Sequence, residues 1–387
     1  MSDANKLNNS LSHPHWWGVQ GVSQLQHTAI GVFLVGFTVT ATVSNILVVS
    51  TCLGYRSLRT TSNLLVVNLA AGDLVMCVVD FPLFAVASFF NFWPFGMNVC
   101  QVYSLITAMA GLVTINTLAV ISADRYRAIV NRLCQHHQRT SRPTTLLIVL
   151  FIWGWSALWA VAPMLGWGRY VLDGVGTTCT FDFLTRTANN ISFVMAMMMG
   201  NFVIPLGVIT FSYLHIWRAV LDAKRRLKEQ NVHVYAGRTN TKSPAHAHGS
   251  LKGQGHQGRD HTVGQRRHGR EFLQGQNQRL RIRSETRTAC TILTLVLAFV
   301  VAWFPYLVVC MIGLFGDRSQ VTVTASVVSS LVAKTSTVSN PVLYCIIHPK
   351  VRRKLHVTLL RLLWSTSPRR SFHASSTSER SPARNFS

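Results

Sequence analysis

Apolar stretches separated by short polar segments account for most of this 387-residue chain. Seven of them reach the roughly 20 residues that a helix needs to cross about 30 Å of hydrocarbon. The seventh is rich in Ser and Thr, so we expect its polar side chains to face protein rather than lipid. The pattern predicts an all-α integral membrane protein, a seven-transmembrane helix bundle over residues 28–347, with spans at 28–52, 63–90, 99–121, 144–166, 191–217, 289–315 and 321–347.

The basic residues predict the orientation of these spans. They crowd the connections between spans 1 and 2, 3 and 4, and 5 and 6, and the segment after span 7. The opposite connections carry little beyond Arg169, Arg186 and Arg318. Because basic connections are retained in the cytoplasm, we predict a plasma-membrane protein with an extracellular N-terminal segment, residues 1–27, and a cytoplasmic C-terminus. An Asn-x-Ser sequence makes Asn8 a predicted glycosylation site.

Three predicted cytoplasmic segments hold most of the remaining polar residues. Residues from about 224 to 284 are rich in Gly, Gln, His and Arg, which predicts a disordered loop. Residues 348–364 mix basic with apolar side chains, a pattern typical of a short amphipathic helix in the membrane interface. Residues 365–387 form a cytoplasmic tail rich in Ser and Thr. The net charge of +24 is concentrated in such segments, so it does not indicate nucleic-acid binding.

The eight cysteines show no CxxC or Cys/His pattern, so no metal site is predicted. Cys100 begins span 3, and Cys179 lies in the connection that precedes span 5. Both fall on the predicted extracellular side of the membrane, where oxidation is favoured. We therefore expect a disulfide between Cys100 and Cys179.

Lys334 is an unusual residue for the middle of a membrane span. At 1.5 Å per residue it lies roughly 20 Å or more along the helix from either flank. A charged, unpaired lysine at that depth costs at least about 3 kcal/mol. Lys334 is therefore expected to pair with a carboxylate, to lose its proton or to form a Schiff base with a carbonyl ligand. The plain alternative is a neutral lysine tolerated by its Ser and Thr neighbours.

Asp124, Arg125 and Tyr126 follow one another at the predicted cytoplasmic end of span 3. Glu285 stands at the matching end of span 6. An arginine that pairs with Asp124 or Glu285 in one conformation and releases them in another would make a two-state latch. No catalytic residues are predicted from this or any other motif.

Two further motifs predict kinks in the last two spans. In span 7, Asn340-Pro341-x-x-Tyr344 interrupts the backbone hydrogen bonds, and the asparagine can satisfy the freed groups. In span 6, Trp303 and Pro305 combine a kink with an aromatic side chain. Both kinks fall where a bundle could bend.

Together these motifs resemble the rhodopsin-like G-protein-coupled receptors, over spans 1 to 7 and the helix that follows. Lys334, six residues before Asn340, is similar to the retinal-binding lysine of the opsins, and His348-Pro349-Lys350-x-Arg352 resembles the melanopsin and rhabdomeric branch. The resemblance implies a light-sensing receptor and not an enzyme. It implies retinal, as the 11-cis or a related isomer, bound through a Schiff base, and a heterotrimeric G protein of the Gq type. Arrestin and a receptor kinase would act on the Ser/Thr tail. Other matching residues are Asn45, Asp73, Trp153, Pro205 and Tyr213.

A protonated Schiff base needs a nearby carboxylate, its counterion. In the melanopsin-like branch this is a Glu six residues before the disulfide cysteine, a position that Asp173, whose side chain is one methylene shorter, occupies here. Asp173 is therefore expected to be the main counterion. Asp80 lies about two helical turns outward of Asp73 on the same predicted face, so it could assist or replace Asp173, or be a neutral acid within the bundle.

The resemblance also implies the remaining functional residues. The predicted chromophore pocket consists of Tyr103, Thr107, Gly111, Phe181, Phe202, Trp303 and Tyr306. The predicted coupling residues are Asp124, Arg125, Tyr126, Tyr213, Glu285, Asn340, Pro341, Tyr344, His348, Pro349 and Lys350.

Three other functions compete with a light receptor. A receptor for a diffusible ligand would share every motif except Lys334. A retinal photoisomerase would keep the lysine but would not need the Asp124-Arg125-Tyr126 motif. A microbial-type ion pump would need acidic residues in span 3, which has none before Asp124.

Overall fold

The computed structural model describes residues 12–17, 22–133, 141–240, 258–347, 351–355 and 357–358. Within them, long helices form a bundle of seven elements. The first four are α1 (Gln24–Gly54), α2 (Thr61–Val75 and Phe81–Phe90, joined by a π turn Met76–Asp80), α3 (Gly96–Leu133) and α4 (Arg142–Val161). The last three are α5 (Ala188–Met198 and Ile204–Asn240, joined by a π turn Met199–Val203), α6 (Gly258–Phe315) and α7 (Val323–Lys334 and Ser336–Ile347). One-turn 3-10 helices cover Pro14–Trp16, Arg56–Leu58, Ala162–Leu165 and Arg318–Gln320.

Within the described residues, six of the helices, α1 to α6, are long and apolar enough to cross a membrane. α7 differs because Thr335 divides it into two pieces of twelve residues each. It packs against α6 and α1, and its buried side chains include Ser326, Ser329, Ser336 and Thr337. Those polar side chains face protein, as expected for the weakest of the seven predicted spans.

Buried amides join the helices across the apolar core. Trp153 on α4 donates to Asn68 Oδ1 at 2.8 Å, and Asn68 Nδ2 donates to Thr117 Oγ1 on α3 at 2.8 Å. Asn45 Nδ2 on α1 donates to the carbonyl of Thr337 on α7 at 3.0 Å. Such polar side chains must find partners inside a membrane bundle, where water is excluded. They therefore help to fix the relative positions of the helices.

A β-hairpin covers one end of the bundle. β1 (Tyr170–Leu172) pairs antiparallel with β2 (Cys179–Phe181). The predicted disulfide forms between Cys179 and Cys100 at the start of α3, with Cα atoms 5.6 Å apart. We call this the hairpin end, and the end at Asp124 the latch end. The segment 12–17 also lies at the hairpin end, where His15 Nε2 bonds the carbonyl of Val321 at 2.9 Å.

The connection between α5 and α6 differs from its prediction. A disordered loop was expected from about residue 224 to 284, yet α5 continues to Asn240 and α6 begins at Gly258. The reason is that helix extension costs little once a stable helix exists, because each added residue contributes one backbone hydrogen bond. Beyond α7, residues 351–355 and 357–358 are helical, in agreement with the predicted helix at 348–364; Val351 is buried.

Candidate functional site: a lysine at the wall of a cavity

A cavity lies inside the bundle beneath the hairpin. Its walls come from α2, α3, α5, α6, α7 and both β-strands. Six of the seven predicted pocket residues line it: Thr107, Gly111, Phe181, Phe202, Trp303 and Tyr306. Lys334 lines it too, and no other lysine or arginine of the described chain does. The cavity therefore combines apolar and aromatic walls with a single amine.

Trp303 forms the inner wall of the cavity beside the proline of α6. Its Nε1 donates to Ser336 Oγ on α7 at 3.3 Å. A Cβ added at Gly111 would lie only 3.2 Å from Cη2 of Trp303, so glycine lets α3 approach the indole closely. Phe181 and Tyr306 meet edge to face with their ring centres 6.1 Å apart.

The Lys334 amine is not free in the cavity. Its Nζ donates to Oδ2 of Asp80 in an ion pair, with the lysine side chain 13% exposed and the Asp80 side chain 0% exposed. A buried charge is tolerated only when it is paired and hydrogen-bonded. Lys334 is thus paired with a carboxylate, that of Asp80. Such a pairing was one of the outcomes expected for this lysine from the sequence.

The π turn in α2 ends at Asp80. Because a π turn inserts an extra residue into the helix, the regular 3.6-residue spacing from Asp73 to Asp80 does not hold. Both side chains are nevertheless buried, and both bond α7: Asp73 Oδ2 accepts from Asn340 Nδ2 at 3.2 Å, and Asp80 accepts from Lys334. The two acids therefore face the same neighbouring helix, even though the π turn lies between them.

Tyr103 differs from its predicted role, because it is not among the residues that line the cavity. Its hydroxyl donates to Oδ1 of Asp80, the carboxylate oxygen that does not bind Lys334. The same hydroxyl lies 2.8 Å from Oγ1 of Thr178 in the hairpin. The physical reason for the difference is that a buried phenol must find a hydrogen-bond partner, and the carboxylate of Asp80 supplies one outside the cavity.

Asp173 lies in the turn of the hairpin and also lines the cavity. Its Oδ1 accepts from Ser326 Oγ on α7 at 2.6 Å and from the backbone N–H of Gly174 at 2.7 Å. Burial raises the pKa of the Asp173 carboxyl, and these hydrogen bonds and the charge of Lys334 lower it only in part. No hydrogen bond or ion pair joins Asp173 to Lys334 in the described structure, so the role of Asp173 as main counterion stays a prediction.

An amide cluster that sequence reasoning missed lies beside the same cavity. Asn201, in the π turn of α5, lines the cavity, and its Oδ1 accepts from Asn116 and from Trp155, each at 3.1 Å. The sequence did hold a signal for this cluster: Asn116 and Asn201 are amide residues within predicted spans that are otherwise apolar, and such residues need hydrogen-bond partners inside a bundle. Thr178 and Ser326 carried no comparable signal, since serine and threonine are common throughout this chain.

The predicted latch residues meet at the opposite end of the bundle. Arg125 donates to Asp124 Oδ2 at 2.6 Å, and Ser62 of α2 donates to the same oxygen at 2.7 Å and also contacts the guanidinium. The backbone of Glu285 lies within α6, but its side chain is outside the described part, so the proposed pairing with Arg125 stays a prediction.

Tyrosines complete the latch end. Tyr344 of α7 donates to Asn63 Oδ1 on α2 at 2.9 Å, and Tyr213 of α5 donates to the carbonyl of Ala289 on α6 at 3.2 Å. The ring of Tyr126 packs edge to face against Phe211, 5.7 Å between ring centres. Pro341 lies within the second piece of α7. Asn8, His348, Pro349 and Lys350 lie outside the described residues.

Comparison with known families decides what kind of protein this is. Residues 44–344 match the family described as 7 transmembrane receptor (rhodopsin family). The chain belongs to the rhodopsin family. It is thus a multi-pass membrane receptor and not an enzyme, and its seven-helix fold is the one expected from the sequence.

Relatives of this rhodopsin-family receptor carry opsin names. It is 32% identical over 377 residues to "Rhodopsin, GQ-coupled" of Mizuhopecten yessoensis, covering 96% of this chain and 68% of that protein. It is 30% identical to "Melanopsin" of Rattus norvegicus, covering 89% of this chain and 65% of that protein. Its structure is similar to the crystal structure of squid rhodopsin, with a TM-score of 0.77, 28% identity and 91% of each chain covered. The resemblance to melanopsins and invertebrate opsins is therefore confirmed.

Proposed function

We propose that this receptor senses light through retinal joined to Lys334 by a Schiff base. The observation that carries the proposal is the Lys334 amine, which lies in the wall of an apolar and aromatic cavity and is ion-paired with the buried Asp80. The residues present fit such a group: a lysine can condense with an aldehyde, and aromatic walls suit a long apolar polyene. The rhodopsin and melanopsin names of the relatives support the same function.

When bound, retinal supplies a chromophore that changes shape on absorbing light. The chain's own residues hold it and respond to it. Phe181, Tyr306 and Trp303 would enclose it and exclude water, while a carboxylate would neutralise the charge at Lys334. We propose Asp80 for that part in the resting receptor, because it already contacts the amine. Asp173 would be a second, more distant acid in the same cavity.

The latch end would carry the signal to a heterotrimeric G protein. Trp303 lies close to Pro305 in α6 and contacts α7 through Ser336, so its displacement would move both helices. Release of Arg125 from Asp124, and of Tyr344 from Asn63, would then open the bundle at that end. The Gq type of G protein is supported by the printed name of one relative.

The arrangement of the chain in the membrane is part of the proposal. The latch end would face the cytoplasm, because the basic connections adjoin it. The N-terminus, with glycosylation at Asn8, would lie outside the cell and the C-terminus inside. Arrestin and a receptor kinase would act on the tail at 365–387, which is rich in Ser and Thr.

The test is reconstitution of the purified full-length chain with 11-cis-retinal. We expect a visible absorption band, borohydride trapping of retinal on Lys334 in a peptide identified by mass spectrometry, and light-dependent nucleotide exchange on Gq. Lys334→Arg should abolish the adduct, whereas Lys224→Arg, exposed on α5, should keep it. A wild-type chain that forms no adduct would indicate a receptor for a diffusible ligand. An adduct that isomerises without promoting exchange on any G protein would indicate a photoisomerase.

A further inference from the structure

We infer that Tyr103 and Thr178 are positioning residues, which form a hydroxyl chain from the β-hairpin to Asp80 and hold its carboxylate against Lys334. The inference rests on the proposed function, because it assigns how the counterion of that same lysine is fixed. It concerns two side chains that do not reach the amine themselves. Neither Tyr103 nor Thr178 forms a hydrogen bond with Lys334 in the described structure; both act through Asp80.

The hydrogen bonds define the order of the chain. Thr178 Oγ1 lies 2.8 Å from the Tyr103 hydroxyl, and that hydroxyl donates to Oδ1 of Asp80. The other oxygen, Oδ2, accepts from Lys334. Since the phenol gives its one proton to the carboxylate, the threonine hydroxyl must donate to the phenol oxygen. Both carboxylate oxygens of Asp80 are therefore engaged, each by a side chain from a different helix.

The surroundings of Tyr103 hold its hydroxyl in place. Tyr103 is fully buried, and its ring packs edge to face against Trp93, with ring centres 5.1 Å apart. Trp93 is in turn fixed by the hydrogen bond from its Nε1 to the carbonyl of Gly96 at 3.0 Å. A fixed ring fixes the position of the phenol oxygen, from which the O–H reaches Asp80. Asp80 is thus oriented by a rigid donor.

The disulfide lies next to both hydroxyl residues. Cys100 precedes Tyr103 by three residues, about one turn of α3, and Cys179 directly follows Thr178. The bond between Cys100 and Cys179 therefore keeps the hairpin strand and the outer turn of α3 together at the point where their two hydroxyls meet. Because these hydroxyls link the hairpin to Asp80, a shift of the hairpin would move the Asp80 carboxylate.

The electrostatic consequence follows from the low dielectric of the site. A hydrogen bond donated to a carboxylate favours its ionised form, and each such bond to a charged group is strong where water is absent. Without the phenol, Oδ1 would have no donor, so Asp80 would accept the proton from the Lys334 nitrogen more readily. The titratable groups that surround the pair are Tyr103, Asp173, Asp73 and Cys77.

The first test is a pH titration of the pigment's visible band. Tyr103→Phe should lower the alkaline midpoint, at which visible absorbance gives way to near-ultraviolet absorbance, by about one pH unit or more, a tenfold change in proton dissociation. Thr178→Val, which keeps the ring packing intact, should lower it by less. The matched control is Tyr55→Phe, which removes a phenol outside the cavity whose hydroxyl lies 3.2 Å from Oγ1 of Thr358; its midpoint should match the wild type.

A double-mutant cycle makes the test specific. In an Asp80→Asn background, Tyr103→Phe should leave the midpoint unchanged, because the carboxylate that the phenol orients is gone. If the wild type forms a pigment and neither Tyr103→Phe nor Thr178→Val changes its alkaline midpoint, the inference is overturned while the proposed function stays intact. A Tyr103→Phe effect of equal size with and without the Asp80→Asn substitution would also overturn it, because the phenol would then act by another route.

The second test uses the protein without retinal. The infrared carboxylate stretch of Asp80, identified by its loss in Asp80→Asn, should shift in Tyr103→Phe and not in Tyr55→Phe. An unshifted band would overturn the inference. This measurement keeps the two proposals separate: a wild-type chain that fails to bind retinal refutes the light-receptor function, while the infrared band still decides whether Tyr103 positions Asp80.

Discussion

Asp80 and Asp173 are both buried carboxylates near one lysine, and their surroundings differ in kind. Asp80 comes from a π turn in α2 and contacts a cation and a phenol. Asp173 comes from a hairpin turn and contacts a serine hydroxyl and a backbone N–H. Burial alone favours the neutral form of a carboxylic acid. The two acids are almost equally buried, so their partners distinguish them: of the two, Asp80 is the one paired with a cation.

The largest expected effect comes from Asp80→Asn. Without its carboxylate the charged lysine loses its only direct acidic contact in the described structure, and breaking a buried pair costs about 3–5 kcal/mol. We expect the alkaline midpoint of the pigment to fall by roughly 3 pH units or more. The measurement is a spectral titration, with Asp80→Glu as the variant that keeps a carboxylate. A midpoint within one unit of the wild type would remove Asp80 as the counterion.

Loss of the disulfide should have the next largest effect. Cys100→Ser with Cys179→Ser releases β2 from α3 and should cost about 2–5 kcal/mol of stability. A thermal melt of the retinal-free receptor measures this cost. The control is Cys290→Ser, since Cys290 is an exposed free cysteine. A double variant as stable as the wild type would mean that the hairpin is held by its other contacts, including those of Asp173 and Thr178.

Asp173→Asn should have a small effect on the pigment, less than about one pH unit in the alkaline midpoint. Asparagine retains an oxygen that can accept from Ser326 and Gly174, and no direct contact with Lys334 is lost. Ser326→Ala, which removes the donor but keeps the acid, should likewise change the midpoint little. If Asp173→Asn instead lowers the midpoint as far as Asp80→Asn does, Asp173 is the main counterion that the family resemblance implies.

The smallest expected effect concerns a third acid at the hairpin end. Burial raises the pKa of Asp182, but hydrogen bonds from Thr185, Leu184 and Arg169 outweigh it and bring the pKa below its usual value. An unfolded aspartate titrates near about 3.9. The stabilisation is therefore present above that pH and is lost as pH falls through the lower folded pKa.

Melting temperatures of the retinal-free receptor between about pH 5 and pH 3 measure the effect of Asp182. The wild type should lose stability on acidification in this range, and Asp182→Asn should lose less. Asp222→Asn, an exposed position on α5, serves as the control and should follow the wild type. Equal slopes for the wild type and Asp182→Asn would show that the ionised form of Asp182 adds no stability.

The sequence predicted the fold well because hydrophobic length is a strong signal. A span of about 20 apolar residues has few alternatives to a membrane helix, and all seven predicted spans are helices in the structure. Helix ends were less accurate: α3 continues to Leu133 and α5 to Asn240, beyond the apolar residues. Hydropathy marks where lipid contact ends, whereas a helix can continue through water as long as its own hydrogen bonds form.

The residues of the site likewise fall into those that the sequence predicted and those that it did not. Lys334 was predicted from its cost in a membrane, Cys100 and Cys179 from their shared side, and most pocket residues from the family resemblance. Tyr103 was predicted to line the pocket and instead bonds Asp80. Thr178 and Ser326 were not predicted, because a lone hydroxyl residue in this Ser- and Thr-rich chain indicates nothing about its partner.

The sequence by itself determined that this chain is a seven-helix receptor with a lysine that requires a partner inside the membrane. It could do so because apolar length and the cost of a buried charge are properties of single segments. Only the tertiary structure decided which acid meets that lysine. The choice depends on a π turn in α2, a disulfide between distant cysteines and a hairpin folded over the bundle, and these bring together residues up to 254 positions apart. Contacts of that range depend on the packing of the whole bundle.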